Sequence, residues 1–541
     1  MCILSPLLTV CPRDTVRTDY TSVPREKTMQ PYLPPDYPDY PTIVHALAAA
    51  AELHPDAPGI VCQYRQLSYG EYVHVVGALA RQFGELGVSQ ERIAFVMTNS
   101  LEATVGLMAG MAARAQVSPL NPFYTDAELE PLVRDVEPRV IVCDAGTSER
   151  VRAMAAKLGI KHVVQLGIGG ITMDDLLARS RGALPLPQES DLSAIFFTGG
   201  TTGLPKGANH THLSLMAFCY GVSQLWPLTL DKERIVNVAP LFHVWGFCFT
   251  LIAPVYFRAF MDIMPAYKPE LVLEEFQKQK ITVFAGGPAA LYLGLRANEN
   301  FARTDFSSLK VCLSGGAPCP EELLISWEEA TGCVLLEGWG MSEGAPINLS
   351  PLNGVRKVGS VGIKPPNAEV EVADLQTGEK VMPTGERGEI RLRGPMFTTG
   401  YRNRPEDNKQ SIRNGWLYTG DIGYYDEDGY LFLVDRKKEM IIVGGYNVYP
   451  REIDELLFKH PAILEAATIG VPNSFSGEAV AAYIVLRHDQ KLTAEEVQDY
   501  CRTSLVKYKV PTKVEFVDAL PRTGVGKINK MELKKRGVAS L

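Results

Sequence analysis

Residues 340–344, Gly-Met-Ser-Glu-Gly, match the G-x-S-x-G pattern found around the nucleophilic serine of many hydrolases. Such a serine needs a helix directly after it and a histidine to accept its proton. Here Gly344-Ala345-Pro346 follows the serine, and only His460 and His488 lie downstream. The alternative is that Glu343, rather than Ser342, is the active residue of this stretch.

A second stretch with chemical potential is 196–207, Phe-Phe-Thr-Gly-Gly-Thr-Thr-Gly-Leu-Pro-Lys-Gly. An apolar strand pattern leads into a loop whose glycines let successive backbone N–H groups turn toward an anion. Threonine hydroxyls add donors and a lysine adds charge, so we predict a polyphosphate cradle. It is not a Walker A loop, because Leu-Pro separates the last glycine from the lysine. The predicted cradle residues are Thr198, Gly199, Gly200, Thr201, Thr202, Gly203 and Lys206.

Composition narrows the class of protein. A chain of 541 residues exceeds one ordinary core, and its net charge of −8 provides no attraction to nucleic acid or an anionic membrane. The ten cysteines form no C-x-x-C pair and no zinc-ligand cluster. No apolar stretch reaches the ~18 residues of a transmembrane helix, and the N-terminus lacks the basic region of a signal peptide. We therefore expect a cytoplasmic protein without a transmembrane segment.

The elements that must position these motifs follow from the patterning. Residues 1–42 end in a proline-rich run and are predicted to form an extended arm. Residues 43–434 are predicted to form a large α/β domain of two halves with parallel strands, plus a small β-rich antiparallel unit after residue 355. Residues 435–541 are predicted to form a small α+β domain, with a helix at 493–505 and its boundary in the charged run 435–439.

These segments together resemble the adenylate-forming superfamily of acyl-CoA synthetases, peptide-synthetase adenylation domains and beetle luciferases. The likeness extends from Tyr69 to Lys530, with the motifs in family order, and the Thr-Gly start of the loop is typical of fatty-acyl members. It implies an AMP-forming acid–thiol ligase that binds ATP, CoA and Mg²⁺. It also implies a mobile C-terminal domain that rotates about Asp435.

The resemblance assigns a nucleotide site to two segments, 314–320 and 337–343. Trp339 would stack on adenine, Ser342 would donate a hydrogen bond to phosphate, and Glu343 would bind Mg²⁺. Substitution of the family's Tyr by Trp339 and of its Thr by Ser342 keeps the chemical character of both positions. The residues predicted to lie along the nucleotide are Gly315, Gly316, Ala317, Trp339, Gly340 and Ser342.

Further roles are implied around the ribose and the hinge. Asp421 would accept hydrogen bonds from the ribose hydroxyls, and Arg436 would reach the same ribose or the phosphates. For Lys437 and Lys438 we expect only a solvated charge run. Gly444 and Gly445 are expected to line a tunnel for the pantetheine arm of CoA.

The catalytic residues implied by the resemblance are His243, Glu343 and Lys527. His243, in 240–246, would lie beside the substrate carboxylate. Lys527 would bridge this carboxylate and the α-phosphate during adenylation and withdraw when the C-terminal domain rotates. Mg²⁺ on Glu343 and the loop from Thr198 to Lys206 would stabilise the departing pyrophosphate.

The acid itself and several alternatives stay open. The segments 243–247, 283–292, 315 and 339–341, which should line the acid pocket, carry no charged side chain, so we favour a medium- or long-chain fatty acid over an aryl or hydroxycinnamic acid. A peptide-synthetase adenylation domain is disfavoured because no carrier segment follows, and a serine hydrolase because no H-G-G-G segment is present. A luciferase-like oxidative enzyme is not formally excluded. A homodimer is also compatible with the family.

Overall fold

The structure is a computed structural model in which four β-sheets and their covering helices form the fold. It describes residues 37–198, 205–317, 319–473, 475–522 and 528–539, with only the backbone described at 345, 346 and 536–539. Within these ranges, no helix is both long enough and apolar enough to cross a membrane. The mixed α/β architecture predicted from the sequence is confirmed.

The secondary structure alternates along most of the chain. The helices are α1 Ile43–Leu53, α2 Tyr69–Glu85, α3 Leu101–Ala112, α4 Asp126–Val136, α5 Ser148–Leu158, α6 Met173–Leu177, α7 His212–Leu225, α8 Val244–Phe247, α9 Ala253–Tyr256, α10 Pro269–Lys278, α11 Ala289–Ala297, α12 Glu321–Thr331, α13 Pro405–Ser411, α14 Pro450–Phe458, α15 Ala494–Arg502 and α16 Lys530–Ala539. The strands are β1 Pro58–Cys62, β2 Arg65–Ser68, β3 Arg92–Val96, β4 Gln116–Leu120, β5 Val140–Cys143, β6 His162–Gln165, β7 Leu192–Phe197, β8 Gly207–Thr211, β9 Arg234–Asn237, β10 Phe260–Ile263, β11 Val283–Gly287, β12 Val311–Gly315, β13 Val334–Met341, β14 Gly344–Leu349, β15 Glu369–Ala373, β16 Gly388–Arg393, β17 Gly400–Tyr401, β18 Ile412–Arg413, β19 Trp416–Tyr425, β20 Leu431–Arg436, β21 Ile441–Val443, β22 Tyr446–Val448, β23 Ile463–Asn473, β24 Gly477–Leu486 and β25 Lys513–Phe516.

Two large sheets form the two α/β halves. The first has the order β17-β8-β7-β4-β3-β5-β6, and the second has the order β14-β13-β12-β11-β9-β10-β1-β2. Strands β7, β4, β3, β5 and β6 are parallel, as are β13, β12, β11, β9, β10 and β1. Helices cover these strands, which is why they appear in the sequence as nearly continuous apolar runs.

Two smaller sheets follow in the chain. The third has the order β15-β16-β19-β18 with β20 added on β19, and the fourth has the order β22-β21-β24-β23 with β25 added on β24. The chain leaves the third sheet after Arg436 and enters the fourth at Ile441. Asp435, the predicted hinge, is therefore the penultimate residue of β20.

Local sequence determines where several helices begin. Thr493 is the N-cap of α15 and forms a capping box with Glu496, which explains the helix predicted near this position. Helix α14, which the strand and loop patterns did not predict, begins with Pro450 at its first position. At the other end of the chain, the Tyr37 hydroxyl donates to the Leu228 carbonyl, so the last residues of the predicted arm pack on the large domain.

One buried carboxyl of this fold should make stability depend on pH. Asp262 on β10 is 3% exposed, and burial together with the nearby Glu275 raises its pKa from 3.8 to about 8. Between these two values the folded chain holds a proton that the unfolded chain has released, so stability falls as pH rises across the window. We predict that Asp262→Asn flattens the decline of the urea-unfolding midpoint between pH 6 and pH 9.

The exposed Asp305 provides the control. Its pKa is lowered by hydrogen bonds from Ser307, so its carboxyl is already ionised throughout this pH range. Asp305→Asn should keep the slope of the unmodified protein, and an unchanged slope in Asp262→Asn would contradict the prediction.

Candidate active site

The predicted motifs gather where strands end. The loop at 198–206 follows β7, the segment with His243 follows β9, and the segments at 316–320 and 342–343 follow β12 and β13. Because β9, β11, β12 and β13 are neighbouring parallel strands, three of these segments leave the same edge of the second sheet. Ligands of α/β proteins bind at such carboxyl edges.

Asp421 on β19 connects two of the other predicted residues. Its Oδ2 accepts a hydrogen bond from Trp339 Nε1 at 3.0 Å, and its Oδ1 lies 2.6 Å from Nε of Arg436. The Asp421 side chain is 7% exposed, so this carboxylate is held almost entirely by protein groups. The structure thus brings together the three residues predicted for adenine and ribose, although the Trp339 indole is itself largely buried, at 7% exposure.

Glu343 lies in the turn between β13 and β14 and is 5% exposed. The hydroxyl of Tyr401 donates to its Oε1 at 2.5 Å. Burial raises the pKa of Glu343, while the Tyr401 hydroxyl and the charge of Arg436 oppose this rise. Glu343 is therefore a buried carboxylate that lies close enough to Asp421 for the two charges to interact. It is the residue predicted to bind the metal.

Ser342 does not have the surroundings of a nucleophile. Its Oγ donates to the Phe197 carbonyl at 3.3 Å, and its own carbonyl accepts from Nε2 of His210 at 2.8 Å. Burial lowers the pKa of His210 to about 4, so this imidazole is neutral. Strand β14, not a helix, follows the serine. The hydrolase alternative lacks its strand–turn–helix geometry and is wrong.

The two ends of the predicted phosphate loop are joined. Thr198 N donates to the Lys206 carbonyl at 2.9 Å, and Lys206 N donates to Thr198 Oγ1 at 3.3 Å. The ammonium group of Lys206 lies 2.5 Å from Asp407 Oδ1 and 5.3 Å from the ring centre of Tyr401. The cradle residues between these ends, Gly199, Gly200, Thr201, Thr202 and Gly203, lie outside the described residues.

Gly315 has a packing role that the sequence interpretation did not foresee. A Cβ atom there would come within 2.4 Å of the Trp245 indole and 2.7 Å of the Gly338 carbonyl. The absence of a side chain thus makes room for Trp245, and the nucleotide contact predicted for Gly315 stays a prediction. Gly316, with φ of +78°, and Ala317 are exposed, and a Cβ at Gly316 would meet open space.

His243 begins the short helix α8 as its N-cap. Its Nδ1 accepts a hydrogen bond from Trp245 N at 3.2 Å. The Trp245 indole is held in turn by a hydrogen bond from Nε1 to the Ala285 carbonyl at 3.0 Å and by the ring of Phe249, 4.7 Å away. Segments 243–247, 283–292 and 315, predicted to line the acid pocket, therefore do meet in space.

Asp435, the predicted hinge residue, is held by two backbone N–H groups near the end of β20. Its Oδ1 accepts from Arg436 N at 2.7 Å, its Oδ2 accepts from Arg451 N at 2.8 Å, and burial raises its pKa to about 6. Lys437 is paired with Glu389 at 2.7 Å, which corrects the expectation of a purely solvated charge run. Lys530 pairs with Asp454 at 3.1 Å.

The two glycines predicted to line a CoA tunnel have no described contact with Asp421. Gly444 and Gly445 form the exposed turn between β21 and β22, with φ of +56° and +85°, and a Cβ at either would meet open space. Left-handed backbone explains glycine at both positions without a tunnel. Lys527 lies outside the described residues.

Comparison with known proteins agrees with this arrangement. Residues 47–402 match the model of the AMP-binding enzyme family, and residues 452–527 match the AMP-binding enzyme C-terminal domain. The chain belongs to the AMP-binding enzyme family. The resemblance that the motifs indicated is thereby confirmed.

Several relatives cover nearly the whole chain. It is 32% identical over 533 residues to a long-chain-fatty-acid–CoA ligase of Bacillus subtilis, covering 91% of this chain and 94% of the relative. It is 33% identical over 489 residues to a feruloyl-CoA synthase of an Amycolatopsis species, covering 90% and 97%. The crystal structure of ATP-bound MatB from Rhodopseudomonas palustris superposes with a TM-score of 0.84 at 32% identity, covering 91% and 98%.

Some residues of the site could not be found by motif analysis. Tyr401 contacts Glu343, which lies 58 residues before it in the chain, and His210 holds the carbonyl of Ser342 from 132 residues away. A motif lists neighbours along the chain, whereas these contacts exist only because distant strands are adjacent. Among the described residues, no group of three or more His, Cys, Asp or Glu side chains is arranged to hold a metal ion.

The packing at Gly315 yields a stability prediction. We expect Gly315→Ala to lower the free energy of unfolding by about 1–3 kcal/mol, because the added methyl group overlaps the Trp245 indole and a backbone carbonyl. Urea titration measures the loss, and near-UV circular dichroism reports the displaced indole. Gly84→Ala in α2 is the matched control, since a Cβ there meets nothing within 4 Å. Equal behaviour of the two variants would refute the packing role.

Proposed function

We propose that this protein is an ATP-dependent acid–CoA ligase. It activates a carboxylic acid as an acyl-adenylate, releases pyrophosphate, and then transfers the acyl group to the thiol of CoA. The observation that carries the proposal is the convergence of Trp339, Asp421 and Arg436 with Glu343 beside the loop that Thr198 and Lys206 close. Relatives named as CoA ligases, matched over nine-tenths of the chain, support it.

In the first step, a carboxylate oxygen of the acid attacks the α-phosphorus of ATP, and the bond to pyrophosphate breaks. Negative charge gathers on the phosphates, so catalysis depends on positioning and electrostatic stabilisation rather than on a protein nucleophile. Asp421 would orient the ribose, Arg436 and Lys206 would offset phosphate charge, and Lys527 would bridge the acid and the α-phosphate. Thr198 and Ser342 would donate hydrogen bonds to phosphate oxygens.

Glu343 has the carboxylate oxygens that an Mg²⁺ ligand requires. Mg²⁺ is commonly held by one or two protein carboxylates together with substrate phosphates and waters, so a single oxygen ligand is sufficient. The ion supplies positive charge that stabilises the phosphates during transfer. Tyr401 keeps Glu343 oriented through its 2.5 Å hydrogen bond and favours the ionised form that a metal ligand needs.

In the second step, the CoA thiolate attacks the acyl carbon, and the bond to AMP breaks. The exposed turn of Gly444 and Gly445 could form part of a CoA tunnel only if the small domain changes its orientation. Rotation at Asp435 would bring that turn to the site and remove Lys527 from it. One cavity would then serve both steps.

The acid is proposed to be a medium- or long-chain fatty acid, with an aryl acid as the second candidate. The 32% identity to a long-chain-fatty-acid–CoA ligase supports the first. The 33% identity to a feruloyl-CoA synthase, and the aromatic pair of Trp245 and Phe249 where the acid-pocket segments meet, support the second. A cytoplasmic location and a homodimer stay predictions.

A panel of acids tests the function. Purified protein is incubated with ATP, Mg²⁺, CoA and one acid, either a straight-chain acid of increasing length or a cinnamic acid, and both AMP and thioester are followed. We expect AMP and thioester in equal amounts with at least one acid. If no acid yields AMP, the proposed function is wrong.

Lys527→Ala separates the two steps. The variant should not release pyrophosphate with any acid, yet it should form thioester from supplied acyl-AMP and CoA at the rate of the unmodified protein. Equal loss of both steps would contradict the division of labour proposed for Lys527.

A further prediction distinguishes the two neighbours in the β13–β14 turn. Glu343→Gln should lower kcat/KM for acid-dependent ATP–pyrophosphate exchange by about 100-fold or more, because it removes the charge that binds Mg²⁺. Ser342→Ala should cost about tenfold, the value of one neutral hydrogen bond. The measurement is the rate of ATP–pyrophosphate exchange of each variant at increasing Mg²⁺ concentration. A larger loss in Ser342→Ala would reverse the assignment.

A further inference from the structure

The lysine that ends the predicted phosphate loop has an acidic partner in this structure. The ammonium nitrogen of Lys206 lies 2.5 Å from Oδ1 of Asp407, which is in the first turn of helix α13. The two side chains are 32% and 30% exposed, so the pair is open to solvent and to a ligand. A protein carboxylate therefore balances the charge that we propose for binding phosphate.

Backbone contacts hold helix α13 beside this lysine. Asn408, the residue after Asp407, accepts a hydrogen bond from Tyr401 N at 2.7 Å and donates one to the Tyr401 carbonyl at 2.8 Å. Tyr401 belongs to β17, which pairs with β8, and β8 begins at Gly207, directly after Lys206. The position of Asp407 is therefore fixed by strand pairing and by Asn408, and not only by attraction between the two charges.

The ion pair lies next to the residue predicted to bind Mg²⁺. The ring centre of Tyr401 is 5.3 Å from the ammonium group of Lys206, and the Tyr401 hydroxyl donates to Glu343 at 2.5 Å. Burial raises the pKa of Tyr401, and the charges of Glu343 and Asp407 add to this rise. The Asp407 carboxylate is thus close enough to act on the groups proposed for phosphate and metal.

Such an ion pair affects ligand binding more than it affects folding. Attraction between partly exposed charges is screened by water and offset by lost side-chain entropy, so the pair contributes little to stability. A phosphate that binds Lys206 must displace Asp407 or share the ammonium group with it. In either case the negative carboxylate stays near the negative phosphate, and the two repel each other. Asp407 therefore lowers the affinity of Lys206 for phosphate.

We propose that Asp407 is a positioning residue that holds the Lys206 ammonium group whenever phosphate is not bound to it. The proposal rests on the proposed function for the phosphates concerned, which are those of ATP and of the product pyrophosphate. ATP replaces the carboxylate when it binds. After adenylation, the return of Lys206 to Asp407 favours the departure of pyrophosphate, a kind of step that often limits turnover.

Direct binding measurements test the proposal without any acid substrate. The full chain is titrated calorimetrically with pyrophosphate and with ATP, each in the presence of Mg²⁺. We expect Asp407→Asn to raise the affinity for both probes by about threefold or more, because a negative charge beside the lysine is removed. Asp407→Glu, which keeps that charge, should bind both probes as the unmodified protein does. The urea-unfolding midpoint of Asp407→Asn should be unchanged.

A neighbouring acid on the same helix provides the matched control. Glu406→Gln removes the same charge from an exposed residue and should leave the affinity for both probes unchanged. An equal gain in Glu406→Gln or in Asp407→Glu overturns the proposal. Unchanged or weaker binding by Asp407→Asn also overturns it, as does the absence of binding to either probe in both proteins.

A double-mutant cycle tests whether Asp407 acts through Lys206. The gain caused by Asp407→Asn is measured again in a chain that also carries Lys206→Met. We expect most of the gain to disappear, because the carboxylate then has no ammonium group to hold. An equal gain with and without Lys206 would show that Asp407 only repels the anion, and the positioning role would be wrong.

The outcome is independent of the test for ligase activity. If no acid yields AMP but Asp407→Asn binds pyrophosphate more tightly through Lys206, the positioning role stands and the proposed function fails. If the ligase assay succeeds while Asp407→Asn binds both probes as the unmodified protein does, the proposed function stands and the positioning role fails.

Discussion

The shared carboxylate of Asp421 is the interaction on which the site depends. It joins Trp339 of the second sheet to Arg436 of the third sheet, and Asp421 and Arg436 are also directly opposite in the β19–β20 ladder. Trp339 packs in the core of the β-rich unit beside Ile347 and Leu392. The same carboxylate therefore fixes the orientation of the β-rich unit against the second α/β half. Loss of either partner would leave a buried charge with too few hydrogen bonds, at a cost of about 1–3 kcal/mol or more.

Two carboxyl groups, Glu337 and Asp435, have raised pKa values because they are buried, and nearby cations oppose the rise. Burial raises the pKa of Glu337 to about 7 and that of Asp435 to about 6, while the charge of Arg451 opposes the rise for Glu337 and that of Lys530 opposes it for Asp435. Acids with strongly raised pKa values are more frequent at functional sites than elsewhere in proteins.

Much of the fold follows from the sequence because its signals are local. The apolar runs at Arg92–Val96 and Val140–Cys143 are strands since both faces of a parallel sheet are covered, and Thr493 begins a helix because its hydroxyl and Glu496 cap it. The family resemblance also implied that Trp339, Asp421 and Arg436 would lie around the same nucleotide. What the sequence could not reveal is the set of contacts between distant segments.

The missed contacts share one physical origin. Lys206 pairs with Asp407 across about two hundred residues, and Tyr401 reaches Glu343 only because β17 pairs with β8 at the edge of the first sheet. Gly315 shows that the sequence also does not reveal which packing contact a motif residue makes. Its place in a nucleotide motif suggested ligand contact, yet the Trp245 indole occupies the space that a side chain would fill. A motif glycine can thus be required by packing alone.

The proposed hinge at Asp435 indicates how a ligand could determine domain orientation. Both oxygens of Asp435 accept backbone N–H groups, one of them from Arg451 in the first turn of α14, where the helix dipole favours negative charge. The proposed rotation about Asp435 would break or redirect the hydrogen bond from Arg451. A hydrogen bond to a charged group contributes about 1.5–3 kcal/mol, which is small beside the binding free energy of about 8 kcal/mol for a micromolar ligand. A ligand that contacts both sides of Asp435 therefore has enough binding energy to select one orientation, provided that it binds the two orientations unequally.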